Sequence, residues 1–171
     1  MLLFVYGSLK EGFPNHHVNR GRRVPGVFRT VQPYPLYLAD GVLPCLLARP
    51  GAGLRVQGQL FEVAEDDLAA MDALERVGEP GGYARITIEV EPAGDGATEG
   101  ALEARGEREG SEQRDPHGRR APAARTDGAT GQARPTAAFV YVQSEARLGA
   151  DGAHVGPIAE YTPEHARQLR W

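Results

Sequence analysis

The decisive stretch of this sequence is Leu2-Leu3-Phe4-Val5-Tyr6-Gly7-Ser8, an unbroken apolar run that stops at a glycine. A short run of this kind, without alternating polar residues, is typical of a strand buried on both faces. The glycine lets the backbone approach a ligand closely, and successive free N–H groups in such a turn can hold an anion. A tight turn without a ligand is the simpler interpretation of these residues alone.

Six more short apolar clusters, bounded by glycine, proline or polar residues, predict further strands. They lie at 24–31, 36–40, 43–48, 54–63, 83–90 and 137–142, with a turn at 51–53. In 54–63 the alternation changes phase, which predicts a bulge near Gly58. One clear helix lies in mid-chain, and another is predicted at 163–169. Many short strands with few helices predict an α+β protein, in which a small curved sheet or barrel has helices packed outside it.

The length of 171 residues, with a mass of 18.4 kDa, suits a single domain spanning 1–171. The apolar pattern is interrupted at about 92–136, where Leu102 is the only large aliphatic residue and no aromatic residue occurs. Such a stretch buries too little surface to offset a chain entropy of about 1–2 kcal/mol per residue. We therefore expect a disordered insertion there. One alternative is a module that acts through this insertion.

Charge and composition argue against several classes of function. With 19 basic and 23 acidic side chains, the formal charge is −4, which disfavours nucleic acid or an anionic membrane as a partner. Cys45 is the only cysteine, so it forms no internal disulfide, and its apolar surroundings predict a buried small hydrophobe. No apolar run is long enough to span a membrane, and the first residues lack a secretion signal. The sequence predicts a cytoplasmic protein, and the arginine bias (Lys10 is the only lysine) is typical of a GC-rich bacterial genome.

A helix is predicted over 65–76. Acidic residues occupy 65–67, where they favour the N-terminal dipole, and Gly78 lies where a C-terminal stop belongs. On a helical wheel at about 100° per residue, the residues expected to face the core share one arc. They are Ala64, Leu68, Met71 and Leu74. Glu75 lies inside that arc, and Asp72 lies at its edge.

The carboxyl group of Glu75 is disfavoured in its charged form at this position. Burial and the negative end of the helix dipole both raise the pKa of such a group, toward the range where it exchanges protons near neutral pH. Glu75 is therefore a candidate general acid/base. Two other interpretations remain open: Glu75 pairs with Arg76 or Arg85, or the helix ends one residue earlier and Glu75 points to water.

A known signature is similar to the run Phe4-Val5-Tyr6-Gly7-Ser8-Leu9-Lys10-Glu11-Gly12, followed by Pro14-Asn15-His16. It is that of the gamma-glutamyl cyclotransferase-like family, and the run resembles most of all the gamma-glutamylamine cyclotransferase branch. The similarity continues in chain order through Tyr34-Pro35-Leu36, Leu43-Pro44 to Pro50-Gly51, Val56-Gln57-Gly58-Gln59-Leu60, Met71-Asp72-Ala73-Leu74-Glu75, Tyr83-Ala84-Arg85 and Phe139-Val140-Tyr141. It thus covers nearly all of the chain outside the expected insertion.

This resemblance implies a fold, an activity and a set of site residues. Members of the family fold as a small mixed-strand β-barrel flanked by a few helices. They cleave γ-glutamyl amides by intramolecular cyclisation, releasing 5-oxoproline and a free amine. The resemblance implies that Glu75 is the general acid/base and that the turn of Tyr6, Gly7, Ser8 and Leu9 holds the glutamyl head group. It implies no cofactor and no metal.

Two tyrosines and the partners complete these expectations. Tyr83, and with it Tyr141, either lines the substrate pocket or is a core tyrosine on a strand. We expect a small-molecule γ-glutamyl substrate, and a monomer or weak homo-oligomer. The alternative function is a non-catalytic protein that binds a small anion in the same barrel. His16 and His17 are adjacent, so on a strand they point to opposite faces, and we do not expect them to share a metal.

Overall fold

The computed structural model describes residues 1–94, 134–148 and 154–167. The expected disordered insertion at 92–136 lies, apart from its two ends, outside the described residues. Its first residue, Pro92, closes one strand, and its last, Thr136, opens the next. The described residues of the chain form a barrel, a small second sheet and the helices that cover them.

Strands dominate the described part of the chain. They are β1 (Leu2–Val5), β2 (Arg22–Arg23), β3 (Phe28–Thr30), β4 (Leu36–Ala39), β5 (Leu43–Leu46), β6 (Gln57–Glu62), β7 (Ala84–Pro92), β8 (Thr136–Val142) and β9 (His154–Val155). The helices are α1 (Glu65–Leu74) and α2 (Pro163–Arg167), and short 3₁₀ turns lie at His16–Val18 and Glu145–Leu148. All seven predicted strands are confirmed in position. The sequence did not indicate β2 or β9, because two residues are too few to show a periodic pattern.

Five strands close into a barrel. Their order is β1-β8-β7-β3-β6, and β6 pairs again with β1. The β1–β8 pair, which meets at Leu3 and Phe139, is parallel, whereas the other barrel pairs are antiparallel. The expected fold, a small mixed-strand barrel with few helices, is therefore confirmed. A separate sheet has the order β5-β4-β9.

The strand β1 is buried on both faces, as its unbroken apolar run predicts. Phe4 points into the barrel, where it packs with Leu60 of β6 and the inward side chains of the other barrel strands. Leu3 and Val5 point outward and pack under α1 with Met71. The barrel interior and the layer beneath the helix thus share this strand, which fixes the position of the turn that follows it.

The change of phase along β6 has the same cause, and the bulge predicted near Gly58 is wrong. Leu60 faces the barrel interior, whereas Phe61 faces the helix layer, so apolar residues occur on both faces. The β1–β6 register runs without an extra residue. The extra residues lie instead between β2 and β3, where 24–27 face only two residues of β6. Gly58 is required for a close approach, because a Cβ there would lie 2.5 Å from the Val5 carbonyl oxygen.

The helix α1 covers the outer face of the barrel but is shorter than predicted. Leu68 and Met71 are buried, whereas Leu74 is 39% exposed, so the predicted core arc is wrong at its C-terminal end. Ala64, the N-terminal residue of that arc, is also exposed. The helix ends at Leu74, because Arg76 adopts a φ of +54° and turns the chain away. This early end places the next residue beside the end of β1.

Candidate active site

A cavity of about 230 Å³ opens where β1 leaves the barrel. The turn after β1, the start of β5, the end of α1 and two tyrosines enclose it. The lining residues are Phe4, Val5, Tyr6, Gly7, Ser8, Leu9, Asn15, Leu43, Pro44, Leu74, Glu75, Tyr83 and Tyr141. All six predicted site residues are in this set, so the structure brings them together, although their roles in chemistry remain predictions. Glu75 is the only member of the set with a carboxylate or a cationic group.

The turn after β1 has its carbonyl groups occupied, whereas its N–H groups have no acceptor in the part of the chain that the structure describes. The carbonyl oxygens of Gly7, Ser8 and Leu9 accept hydrogen bonds from Lys10 N (3.2 Å), Asn15 N (3.0 Å) and Asn19 Nδ2 (3.2 Å). Within the described ranges, the three corresponding backbone N–H groups donate to no protein acceptor. An unpaired row of backbone donors beside a cavity is suited to an anionic oxygen.

The close approach of this turn to β5 requires glycine. A Cβ at Gly7 would lie 2.9 Å from Pro44 Cγ, which lines the opposite side of the cavity. The side chain of Ser8 is held by Asn15, whose Nδ2 donates to Ser8 Oγ at 3.0 Å. Because the hydroxyl oxygen already accepts this bond, its own proton remains available to a ligand. Asn15 belongs to the signature run in the sequence, but nothing in its spacing from Ser8 indicates this contact.

Glu75 is placed by the end of α1 and by the loop that follows. Its N–H donates to Met71 O at 2.9 Å, and its carbonyl oxygen accepts from Tyr83 N at 2.9 Å. Between them, residues 76–82 form a tight loop that has no room for a Cβ at Gly82, since this atom would lie 1.9 Å from the Arg76 carbonyl oxygen. The loop therefore holds Tyr83 against Glu75 at the cavity wall.

Neither alternative interpretation of Glu75 describes the structure. Arg76 pairs with Glu79, and Arg85 pairs with Asp72, so no ion pair involves Glu75 among the described residues. The helix does end one residue before Glu75, yet the side chain lines the cavity instead of pointing to bulk water. Burial raises the pKa of Glu75 to about 7. This is the direction that the position of Glu75 in the helix predicts.

The tyrosines around Glu75 are bonded to the protein through their hydroxyl groups. Tyr6 Oη donates to the carbonyl oxygen of Tyr141 at 2.9 Å and accepts from Leu46 N at 3.4 Å. Burial raises the pKa of Tyr6 well above its usual range. Its phenol thus joins β1 to β8 and β5, and the cavity receives the ring rather than a free hydroxyl. A contact of Tyr6 with substrate remains a prediction.

Tyr83 also forms part of the wall. Its hydroxyl donates to Pro44 O at 3.0 Å and lies 4.0 Å from Cys45 Sγ. Burial raises the pKa of Tyr83 well above its usual range. Burial likewise raises the pKa of the Cys45 thiol, and its side chain is fully buried, as expected for a small hydrophobe on this strand. Both groups are therefore protonated at neutral pH.

A second polar cluster, which the sequence did not indicate as a unit, lies beside the cavity. Tyr141 Oη donates to Asp72 Oδ1 at 2.7 Å, and the Arg85 guanidinium bonds Oδ2 of the same carboxylate. The Arg85 guanidinium also lies 5.1 Å from the centroid of the Phe139 ring. These contacts tie α1 to β7 and β8 one helical turn before Glu75.

The described residues contain neither a cluster suited to a metal ion nor a helix able to cross a membrane. Within 1–94, 134–148 and 154–167, no group of three or more His, Cys, Asp or Glu side chains is arranged to hold a metal ion. His16 packs instead against Phe61, with ring centroids 6.1 Å apart. No helix in this part of the chain has the length and apolar character needed to cross a membrane. The cavity is lined by one carboxyl group, that of Glu75, and by the turn that carries the row of backbone hydrogen-bond donors.

Comparison with known proteins identifies the family. A sequence model described as "Gamma-glutamyl cyclotransferase, AIG2-like" matches residues 3–154. The chain belongs to this family. Its membership confirms the resemblance of the first strand, the turn and the segment that ends at Glu75.

Curated relatives in the family carry the name of the expected branch. The Homo sapiens gamma-glutamylaminecyclotransferase is 41% identical over 96 residues, which are 53% of this chain and 61% of that protein. The Danio rerio gamma-glutamylaminecyclotransferase C is 39% identical over 95 residues, 52% of this chain and 61% of that protein. The chain thus matches about three-fifths of the length of these relatives. A crystal structure of an AIG2-like protein from Mus musculus superposes with a TM-score of 0.61 and 25% identity, covering 99% of this chain and 93% of that one.

Proposed function

We propose that this protein is a γ-glutamyl cyclotransferase that cleaves a γ-glutamyl amide and releases 5-oxoproline and a free amine. The substrate's own α-amine attacks its γ-carbonyl carbon. A new C–N bond closes a five-membered ring, and the original amide C–N bond breaks. The observation that carries this proposal is that one cavity is lined both by the Glu75 carboxyl and by the turn after β1, whose N–H groups, like that carboxyl, have no partner among the described residues.

Glu75 moves the protons. The α-amine arrives as an ammonium group and must lose one proton before it can attack and a second as its nitrogen becomes the ring amide, whereas the leaving nitrogen gains two protons and departs as an ammonium group. A carboxyl group with a pKa of about 7 exists in both forms near neutral pH, so it accepts the first proton and returns it to the leaving nitrogen. The reaction consumes no external acid or base and needs no nucleophile from the protein.

The turn after β1 binds the negative oxygens. The N–H groups of Gly7, Ser8 and Leu9, with the Ser8 hydroxyl, are placed to hold the substrate carboxylate or the γ-carbonyl oxygen as it becomes negative. Backbone donors suit this task because they are fixed before the substrate binds. A cationic side chain in the same place would instead stabilise the charged form of Glu75 and lower its pKa.

The walls of the cavity hold the bent substrate. The rings of Tyr6 and Tyr83 and the apolar edge of β5 at Leu43 and Pro44 line the space beside Glu75. Ring closure requires the α-amine to lie against the γ-carbonyl, and orienting such tethered reactants is worth several kcal/mol. A cavity of about 230 Å³ fits a compact head group better than an extended chain.

The first test measures 5-oxoproline after the purified full chain is incubated with several γ-glutamyl amides, including glutathione. We expect release by the wild type and a loss of about 100-fold or more in Glu75→Gln, because the amide keeps the shape but accepts no proton. Glu79→Gln is the matched control: this side chain is 57% exposed, pairs with Arg76 and lies on the following loop. Its rate should stay within about threefold of the wild type, as is usual for an exposed pair.

Two outcomes contradict this proposal. Equal rates in the wild type and Glu75→Gln would remove Glu75 as the acid/base. A wild type that is inactive on every amide would favour the alternative function, a protein that binds a small anion at the turn after β1.

A further inference from the structure

The ion pair of Asp72 and Arg85 lies beside the acid/base but takes no part in the chemistry described so far. Asp72 precedes Glu75 by three residues, and such residues are neighbours on a helix surface, about 5–6 Å apart at Cβ. Arg85 and Tyr83 are two residues apart, so their side chains leave the chain on the same side. The Arg85 guanidinium bonds the Asp72 carboxylate, so this side chain reaches the last turn of α1.

We propose that Asp72 is a positioning residue that holds the Arg85 guanidinium away from Glu75 and so keeps the acid/base without a cationic partner. This inference rests on the proposed function, in which Glu75 exchanges protons. Arg85 is directly opposite Tyr141 in the β7–β8 ladder, and both bond the Asp72 carboxylate. Three groups thus hold one another at the edge of the cavity.

Arg85 is the cation whose position matters most. It is 29% exposed, so its charge is less screened than that of a surface arginine. Removing Asp72 would free the Arg85 guanidinium from its partner, and Glu75, which follows the last residue of α1, is the carboxylate three residues further along the chain. An opposite charge at about 4–6 Å lowers the pKa of a carboxyl by one to three units. Pairing with Arg85 would therefore reverse the effect of burial on Glu75.

The other groups that face Glu75 in the described part of the chain do not act as a cationic partner for it. Three phenols approach Glu75, namely Tyr6 from the end of β1, Tyr83 from the start of β7 and Tyr141 from β8, and all are neutral near pH 7. The Cys45 thiol, on β5, is neutral as well. Arg76 is held by Glu79 on the exposed loop. The charge of Arg147, on the 3₁₀ turn after β8, lowers the pKa of Tyr83 and of Cys45 against the larger effect of burial.

The test is a ¹³C NMR titration of the Glu75 carboxyl in the full chain, with its signal assigned by its absence in Glu75→Gln. In Asp72→Asn, the amide oxygen still accepts from Tyr141, but the amide NH₂ no longer holds Arg85. We expect the apparent pKa of Glu75 to fall by about one unit. In Arg85→Gln, an unpaired Asp72 carboxylate remains one turn away, so we expect a rise of about half a unit or more.

The double variant and a control separate this role from a merely structural one. Asp72→Asn with Arg85→Gln removes both charges, so the titration of Glu75 should return close to the wild-type midpoint. Glu62→Gln removes the same charge from another arginine pair, with Arg22, at the opposite end of β1. It should leave the midpoint unchanged. The acidic limb of kcat/KM should move with the NMR midpoint in each variant.

Shifts of the same sign in both single variants, or an unchanged midpoint in Asp72→Asn, would overturn this inference. If Asp72→Asn does not fold, Arg85→Gln decides alone, since an unchanged or lowered midpoint contradicts it. The titration does not depend on turnover. If the pKa of Glu75 shifts in opposite directions in the two single variants but the protein releases no 5-oxoproline, only the proposed function is contradicted. If the protein releases 5-oxoproline but those pKa shifts are absent, only this inference is contradicted.

Discussion

Glu75 combines a half-buried position with the absence of a cationic partner among the described residues, and both features affect stability as well as chemistry. The folded protein favours the protonated form, because burial raises the pKa of this carboxyl from 4.5 to about 7. The unfolded chain loses that proton at lower pH. The stabilisation from the protonated form is therefore complete below about pH 4.5 and is lost as the pH rises through 7.

Glu75→Gln should consequently gain stability over the wild type at high pH. The glutamine carries no charge, so its burial is not penalised as the pH rises. The difference in the free energy of unfolding should be near zero below pH 4.5 and reach on the order of 3 kcal/mol at pH 8. Urea unfolding between pH 4.5 and 8 measures it. A difference that stays flat with pH, or that Glu79→Gln shows equally, would contradict a buried carboxyl at position 75.

Individual residues differ in how far the sequence could predict them. Glu75 could be found because a charged residue interrupts an apolar arc of the helix. The bonds of Tyr6 could not be, since its partners Tyr141 and Leu46 are 135 and 40 residues away along the chain. The Asn15–Ser8 contact is short in sequence, yet it depends on a loop conformation that no periodicity encodes.

The loop between α1 and β7 determines where Glu75 and Tyr83 meet. Gly82→Ala should displace it, because the new Cβ would lie 1.9 Å from the Arg76 carbonyl oxygen. We expect a loss of about 1–3 kcal/mol in the free energy of unfolding, as for other overpacked sites, together with a large loss of 5-oxoproline release.

Gly78→Asn is the control for that variant. Gly78 has a φ of +87°, which asparagine tolerates better than most residues, and no atom lies within 4 Å of a Cβ there. Urea unfolding and the 5-oxoproline assay should place this variant near the wild type. If Gly82→Ala matches it in both measurements, the loop does not position Glu75.

The strands and the helix ends show where sequence patterns fail to predict the structure. Burial on both faces explains both the unbroken run of β1 and the apparent phase change of β6, which the pattern alone assigned to a bulge. Leu74 belongs to the apolar arc on a wheel, but the helix ends there and the side chain lies at the mouth of the cavity. Periodicity predicts which apolar residues share one face of an element, but it does not predict which neighbouring element covers that face.

The barrel as a whole depends on pairings between distant parts of the chain, above all β1 with β6 and β8. The sequence alone predicts a curved sheet or barrel, and the family resemblance implies a mixed-strand barrel, but neither predicts the order of the strands. Val90 and Thr136 are directly opposite in the β7–β8 ladder, so a short turn can join these strands. Replacing residues 95–133 with a short Asn-Gly turn should therefore preserve the barrel.

We expect that shortened protein to release 5-oxoproline within about threefold of the full chain, because every residue assigned to the chemistry lies outside 95–133. Circular dichroism and urea unfolding check the fold, and the same deletion carrying Glu75→Gln provides the inactive control. A folded but inactive deletion variant would favour the alternative in which the protein acts through its insertion.

The most direct test of a proton-exchanging Glu75 is the pH dependence of kcat/KM for 5-oxoproline release from one γ-glutamyl amide. In the wild type we expect an acidic limb with a midpoint near pH 7, where the carboxyl changes its charge. In Glu75→Gln the residual rate should be at least about 100-fold lower and should lack this limb. A glutamine variant that keeps both the rate and the limb would show that another group carries the proton.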